Sequence, residues 1–405
     1  MAEKSSSGNK FTHTSLIIIA TVAVLFVLKV SKDVAVPLVF SFLCFLLFSP
    51  LLRRMDKLHI PAFISVTFVM VLLLLIFILA GWFIVMTVDS LIRLVPFYAD
   101  KVVSLDRLLS AKLSAFIDLP DGTSFLAVLP VNWSSLAISS LTSISNKFFA
   151  FTKVALLVYI FFLFLLLERQ SIIPKVLASA PKRGMQVAVM FERITRQISK
   201  YLLLKAVISA FTGLFFFLTA ILTGLDLPVL WGVLAFIFNF IPSVGSIIVT
   251  SMTILMALIQ FAPVWSTVMW VALLTISTQM ILGNIIDPRL QGGQLNLSPF
   301  VILASLSVWG FLWGIPGMFI AVPLTSVLQI LCANIKSLRA VAILISSGKS
   351  YQRENARQQV IDRYLRKQER RRKSGLEVEE PPVEAEDEAI YRGDFILPEN
   401  FGEKR

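Results

Sequence analysis

The sequence predicts an all-α integral membrane protein with about eight transmembrane helices plus two re-entrant helical hairpins. Three observations carry that reading. Of 405 residues, 57% are hydrophobic and 15% charged, and the mean hydropathy is +0.81, too apolar for a domain with a wetted face. Apolar runs of spanning length recur at 15–30, 34–52, 62–88, 148–167, 201–223, 244–260, 264–286 and 317–335. Two further apolar pieces, Val229–Ile241 and Phe300–Trp313, are too short: at about 1.5 Å rise per residue each reaches about 20 Å of a hydrocarbon core about 30 Å thick.

The first run ends at Lys29 and Lys32 rather than at a small-residue cleavage site, so it reads as a span and not a signal peptide. An even number of spans puts both termini on one side, and the basic residues say which. On the N-terminal side, loops 1–14, 53–60, 168–200 and 336–405 hold 27 of the 37 Lys and Arg, against 8 in the opposite loops 29–33, 89–147 and 287–298. Both ends are therefore expected in the cytoplasm. The formal charge of +12 follows this loop pattern, which points to membrane topology and not to nucleic acid. Cys44 and Cys332 lie in apolar runs and His13 and His59 in polar flanks; neither a disulfide framework nor a metal site is expected, and no cofactor.

Segment 89–147 balances five basic residues against five Asp, and Leu91, Leu94, Val95, Tyr98, Val102, Leu105, Leu108, Leu109 and Leu113 mark one apolar face. It reads as an interfacial or subunit-packing helix. Glu168 and Arg169 mark the cytoplasmic end of the fourth span, and the basic stretch to Lys200 reads as an amphipathic linker. Beyond Lys336 a basic helix candidate precedes "EVEEPPVEAEDEA", which has seven acids and no base and is expected to be disordered. Lys153 and Lys205, each near a span end, are expected to snorkel to the headgroups. The organisation expected is an N-terminus at 1–14, three spans in 15–88, the extracytoplasmic helix 89–147, a span and linker in 148–200, a hairpin core at 201–345 and a charged cytoplasmic tail at 346–405.

Between Leu227 and Ile335 the only charges are Asp287 and Arg289. Two breaks interrupt this apolar half, "NFIPSVGS" at Asn239–Ser246 and "WGFLWGIPG" at Trp309–Gly317. Proline removes a backbone donor and glycine tolerates dihedrals closed to other residues, so helices stop or reverse there. A mere kink would leave one helix from Leu227 to Gln260, about 51 Å long, which no ordinary tilt accommodates. Paired interrupted segments point to a small-molecule or ion path, because half-helix ends present partial charges and free backbone groups. Pro242, Gly245, Gly314, Pro316 and Gly317 are expected at the tips, with Asn239, Ser243 and Ser246 offering neutral hydrogen bonds. Between the breaks, Pro288 ends a helix, and Gly292 and Gly293 make the connection pliable. Asp287 is expected to carry a proton or compensate a cation, or to stay ionised in a pair with Arg289; Gln279, Asn284 and Asn296 are further polar candidates for the path.

The motifs "NFIPSVGS", "GNIIDPRL" with Gly283, Asn284, Pro288 and Arg289, "LNLSP", "VWGFLWGIPGM" and "VPLT" with Pro323, preceded by "SKYLLLKAVISAFTG", resemble those of the autoinducer-2 exporter family. The likeness runs loosely over about 16–345 and is specific over about 197–326. The resemblance implies an inner-membrane exporter, a homo-oligomer and specifically a pentamer, with two hairpins in a mobile unit; it also implies a substrate that is a small furanone-type signal or, in some relatives, a cation exchanged for protons. Asp287 stands where relatives often have Glu or Gln, Gly293 where a basic residue is common, and Ser243 where Asn is frequent.

The expected function is secondary export of a small polar signal or metabolite by alternating access. The alternatives are a sodium or lithium/proton antiporter and a non-transporting oligomeric scaffold or sensor. "SSGKS" at 346–350 lacks the upstream glycine of a phosphate loop. The membrane half has no His and no paired carboxylates, so the usual parts of acid–base or nucleophilic catalysis are missing.

Overall fold

The computed structural model describes residues 3–113, 133–179, 184–291 and 295–348. Residues 1–347 form one compact unit; the acidic and basic tail segments and the Gly292–Gly293 connection lie outside the described residues. The described elements are helices: α1 (Glu3–Val30), α2 (Lys32–Lys57), α3 (Ala62–Leu113), α4 (Trp133–Glu168), α5 (Ile172–Ser179), α6 (Gly184–Thr223), α7 (Pro228–Phe238), α8 (Val244–Phe261), α9 (Trp265–Thr278), α10 (Asp287–Gln291), α11 (Pro299–Trp313), α12 (Ile315–Asn334) and α13 (Arg339–Ile345). A π-helical stretch, Gln279–Ile286, joins α9 to α10 without a break. Helices dominate because a backbone in lipid must satisfy its own hydrogen bonds.

Seven helices, not eight, are long and apolar enough to cross a membrane among the described residues: Lys32–Lys57, Ala62–Leu91, Phe148–Glu168, Gly184–Thr223, Val244–Phe261, Trp265–Gln291 and Ile315–Asn334. The expected first span contributes a shorter apolar helix among the described residues, Ile19–Val30. Two helices run across expected boundaries. Helix α3 runs 52 residues without interruption, so the expected outer helix begins as a continuation of the third span. Helix α6 runs 40 residues from Gly184, so the linker and the core share one helix across Lys200.

Lipid offers helices no hydrophobic reason to associate, so packing and polar contacts must hold them together. The core lies between α2, α4, α6, α11 and α12, where Leu46, Phe162, Ile198 and Ile320 are fully buried. Ser199 on α6 donates to the Leu46 carbonyl at 2.5 Å. Glycines bring α6 and α7 together: a Cβ on Gly213 would lie 2.6 Å from the Gly232 carbonyl oxygen. At the far ends of α2 and α4, Arg169 grips both carboxylate oxygens of Asp56 at 2.8 and 3.1 Å. The end of α1 rests on the α11 end, with the Trp313 indole donating to the Leu28 carbonyl at 2.8 Å and Lys29 lying 4.0 Å from the centre of the Phe311 ring.

Candidate functional site

The first sequence break forms an antiparallel helix pair, α7–α8. Leu227 takes left-handed dihedrals (φ 59°, ψ 51°) and Pro228 starts α7, where its missing N–H costs nothing. After Phe238 the chain tightens, with Phe240 N–H bonded to Ile237 O and Ile241 N–H to Phe238 O at 3.2 and 2.9 Å. Ser243 then sits at φ 58°, ψ −54°, and Val244 N–H reaches back to Pro242 O at 2.6 Å. That is a γ-turn of the rare, strained hand. Gly245 is required because a Cβ there would collide with the Phe238 carbonyl oxygen. The pair closes at its base: Gln260, at the end of α8, accepts from Asp226 N–H and donates to Gly224 O, both at 2.9 Å. Chain leaving at residue 224 has thus returned to the same level by residue 260.

The second break repeats the plan in α11–α12. Gly314 at φ 68°, ψ −146° occupies a region essentially reserved for glycine, Pro316 lies in the first turn of α12, and a Cβ on Gly317 would collide with the Trp309 carbonyl oxygen. The Trp309 indole donates to Thr325 across the pair at 3.1 Å. The base is again clasped, here by Leu297 paired antiparallel with Ser346, Ser298 N–H on Ile345 O at 3.1 Å and Ser347 N–H on Asn296 O at 3.0 Å. The tips meet: Phe240 of the first stacks on Phe319 of the second with ring centres 4.6 Å apart.

Beside the first tip runs a polar line on α6. Tyr201, Lys205 and Ser209 recur at four-residue steps, which puts them on one helix face, and all three are buried. Asn239 Nδ2 donates to Ser209 Oγ at 3.0 Å. One turn along, Lys205 Nζ bonds Asp287 Oδ2 at 2.7 Å, with the two side chains 4% and 15% exposed. The second Asp287 oxygen accepts from Gln291. Gln279 is 9% exposed, and both of its amide atoms are buried without a hydrogen-bond partner among the described residues. It opens the π-helical stretch, a distortion frequent at functional sites. A buried amide left unbonded costs about 1–3 kcal/mol, which a polar ligand or water would offset. The arrangement gathers neutral hydrogen-bonding groups beside a charge-balanced Lys205–Asp287 pair.

The family model described as "AI-2E family transporter" matches residues 16–337, a stretch containing both helix pairs and the whole polar line. The chain belongs to the AI-2E transporter family. It is 28% identical over 324 residues to the "AI-2 transport protein TqsA" of Escherichia coli, covering 79% of this chain and 91% of that protein. A Borreliella burgdorferi protein described provisionally as a transport protein is 30% identical over 325 residues, 79% of this chain and 87% of that one. A Haemophilus influenzae protein of the same description is 27% identical over 350 residues, 85% and 99%. As an AI-2E family member with seven spanning-length helices, this chain is a multi-pass membrane transport protein and not an enzyme.

In this AI-2E family transporter the expected site residues divide. Asn239 and Asp287 come together along α6, on Ser209 and Lys205, and Gln279 is buried at the start of the π-helical stretch. Ser243, Gly314 and Pro316 are exposed at the tips, Pro242 and Ser246 are half-buried, and Gly245 and Gly317 are buried inside them; the Ser246 hydroxyl donates to Ser243 O at 3.0 Å. Asn284 is exposed, its amide against the Met280 sulfur, and Asn296 serves the base clasp, where it accepts from the Ser347 hydroxyl at 2.8 Å.

Three expectations are corrected. Arg289 is exposed and Asp287 pairs with Lys205 instead, because the helical turn from Asp287 aims the carboxylate at α6. Lys205 does not snorkel, since its side chain is buried and its ammonium is bonded to Asp287. Residues 296–298 of loop 287–298 pair with residues 345–347, so this loop and the segment after Lys336 meet at one end of the molecule instead of lying at opposite ends. Sequence reasoning missed Lys205, Ser209 and Tyr201; their spacing in "YLLLKAVIS" was the available signal.

A second cluster lies at the base of α7–α8. Tyr98, on the extension of α3, donates to Asp226 Oδ2, and the Trp231 indole donates to Asp226 O at 2.9 Å. Burial first, then the bond to Asp226 and its charge, push the Tyr98 phenol above its ordinary pKa.

Proposed function

We propose that this AI-2E family transporter is a secondary exporter of a small polar signalling molecule or metabolite, working by alternating access. The observation that carries the proposal is the meeting of two returned helix pairs, each turned on strained or glycine-only backbone, beside the buried line Lys205, Ser209 and Asn239, with the unbonded Gln279 amide buried at the start of the π-helical stretch. On this reading α7–α8 and α11–α12 are re-entrant hairpins entering from opposite faces. The first reaches to the level of Ser209, which lies 14 residues from the end of α6, about 21 Å of a core about 30 Å thick. The 15 residues of α11 add about 22 Å from the other face, so the two must overlap in depth. Small displacements of the tips then expose the polar line to one face at a time, with Asn239, Ser243, Ser246 and Gln279 meeting the solute.

Likeness to a relative named as an AI-2 transport protein supports an autoinducer-2-like substrate. The excess of Lys and Arg on one side supports an inner-membrane placement with both termini cytoplasmic. Exposed apolar side chains such as Phe63, Trp82 and Phe311 are compatible with lipid and with a homo-oligomer, taken here as a pentamer. The test is metabolite comparison of cells with and without the gene, then flux of the best candidate in proteoliposomes. Flux lost on Gln279→Leu supports the proposal, and absence of flux for every accumulated metabolite refutes it.

The buried Lys205–Asp287 pair favours one second reading, a sodium or lithium/proton antiporter in which a cation displaces the lysine from the carboxylate. Asp287→Asn should then abolish cation-dependent proton movement in inside-out vesicles; retained exchange removes the carboxylate from the mechanism.

A further inference from the structure

Phe240 follows Asn239 at the first tip, and Phe319 lies in the second turn of α12, just past the second tip. Their rings stack at 4.6 Å with 21° between planes. Phe319 also stacks at 5.7 Å and 26° on Phe40 of α2, and Phe236 meets Phe240 edge-on at 5.5 Å and 69°. Four rings thus run from α2 through α12 to the first tip. No hydrogen bond or ion pair among the described residues ties α7–α8 to α11–α12. The tips are held together by aromatic contact where a polar tie would be costly to break away from water.

We propose that the Phe240–Phe319 stack is the gate between the two helix pairs, with Phe40 as its fixed support and Asn239, beside it, as the first polar group uncovered when the rings part. The gate rests on the transport reading and adds to it the residues that decide which face reaches the polar line. Offset-stacked rings attract one another with a preferred geometry but only modestly, so the pair favours the closed state without locking it. Phe40 lies on a helix packed into the core around Leu46, so parting falls to the Phe240 side. The strained turn at Ser243 and the glycine-only dihedrals of Gly314 sit at the two tips, where such a movement would be absorbed.

The test uses the full-length chain carrying Cys44→Ala, Cys332→Ala and Ser246→Cys, in right-side-out and inside-out vesicles treated with a membrane-impermeant maleimide. With both rings present, the Ser246→Cys thiol reacts from one face only. Phe240→Ala and Phe319→Ala each raise labelling from the other face by about three- to tenfold, the bias a stack of this kind supplies. Phe319→Leu keeps apolar bulk without a ring face and raises it as well, which separates stacking from cavity formation and from misfolding. Phe211→Ala, on a lipid-exposed position, leaves it unchanged. Labelling from one face at the original rate in both alanine variants overturns the gate and leaves the transport reading standing. A thiol unreactive from both faces in every variant overturns the gate together with the path it closes.

Discussion

Replacing Lys205 by Met keeps the length of the side chain and removes its charge, leaving Asp287 facing an apolar helix. The pair is 2.7 Å long with its side chains 4% and 15% exposed, so neither charge is well solvated. Removing one partner of such a pair costs about 3–5 kcal/mol, in line with about 4 kcal/mol for unit charges 4 Å apart at an effective dielectric constant near 20. At about 2–4 °C per kcal/mol for a chain of a few hundred residues, the melting point in detergent should fall by roughly 6–20 °C. Asp287→Asn should cost a similar amount, because it strands the more deeply buried lysine. The double variant Lys205→Met/Asp287→Asn should recover most of the loss, with a coupling of at least about 2 kcal/mol. Thermal unfolding followed by fluorescence-detected size exclusion at one fixed heating rate measures all three, a control needed because such unfolding is often irreversible. Additivity of the single losses to within about 0.5 kcal/mol would refute an energetic link between the two residues.

Other consequences concern the tips and the outer contact. Gly245→Ala and Gly317→Ala force a methyl into the Phe238 and Trp309 carbonyls and should each cost about 1–3 kcal/mol or more, read as a lowered melting point. Gly314→Ala meets no atom within 4 Å, yet its dihedrals should still cost about 1–3 kcal/mol; an unchanged melting point would mean the turn differs from the one described. Tyr98 has its pKa raised on folding, so its stabilising bond is fully present below the unfolded value of about 10 and is lost as pH rises through the folded value. Tyr98→Phe should therefore lower stability at neutral pH and flatten the alkaline limb of a stability–pH profile.

What could be read in the chain and what could not divides by distance along it. The breaks at Pro242–Gly245 and Gly314–Gly317 were legible because proline and glycine act on their own backbone and because short apolar lengths are countable. Asn239 and Gln279 were legible as polar residues stranded in apolar surroundings. The Lys205–Asp287 pair joins positions 82 residues apart, and no local pattern encodes which cation finds a lone carboxylate. Lys205 was expected at a span end because the apolar run starts near 201; the helix itself begins at Gly184, and the lysine is buried against Asp287 instead of being free to extend. Counting basic residues set loop 287–298 apart from residues 336–405 because it does not register that Leu297 pairs with Ser346. That Gln260 bonds back to Gly224 and Asp226 is a fact of tertiary structure. Tyr98 was assigned to an apolar face by periodicity, which does not register that its hydroxyl meets Asp226.

Whether both helix pairs return to the face they left is tested most directly by the sidedness of single cysteines flanking each pair in a Cys44→Ala, Cys332→Ala background. Thr223→Cys and Val264→Cys should react with an impermeant thiol reagent from one face of the membrane, and Ser298→Cys and Ser347→Cys from the other. Labelling of Thr223→Cys and Val264→Cys from opposite faces, or of Ser298→Cys and Ser347→Cys from opposite faces, would contradict it.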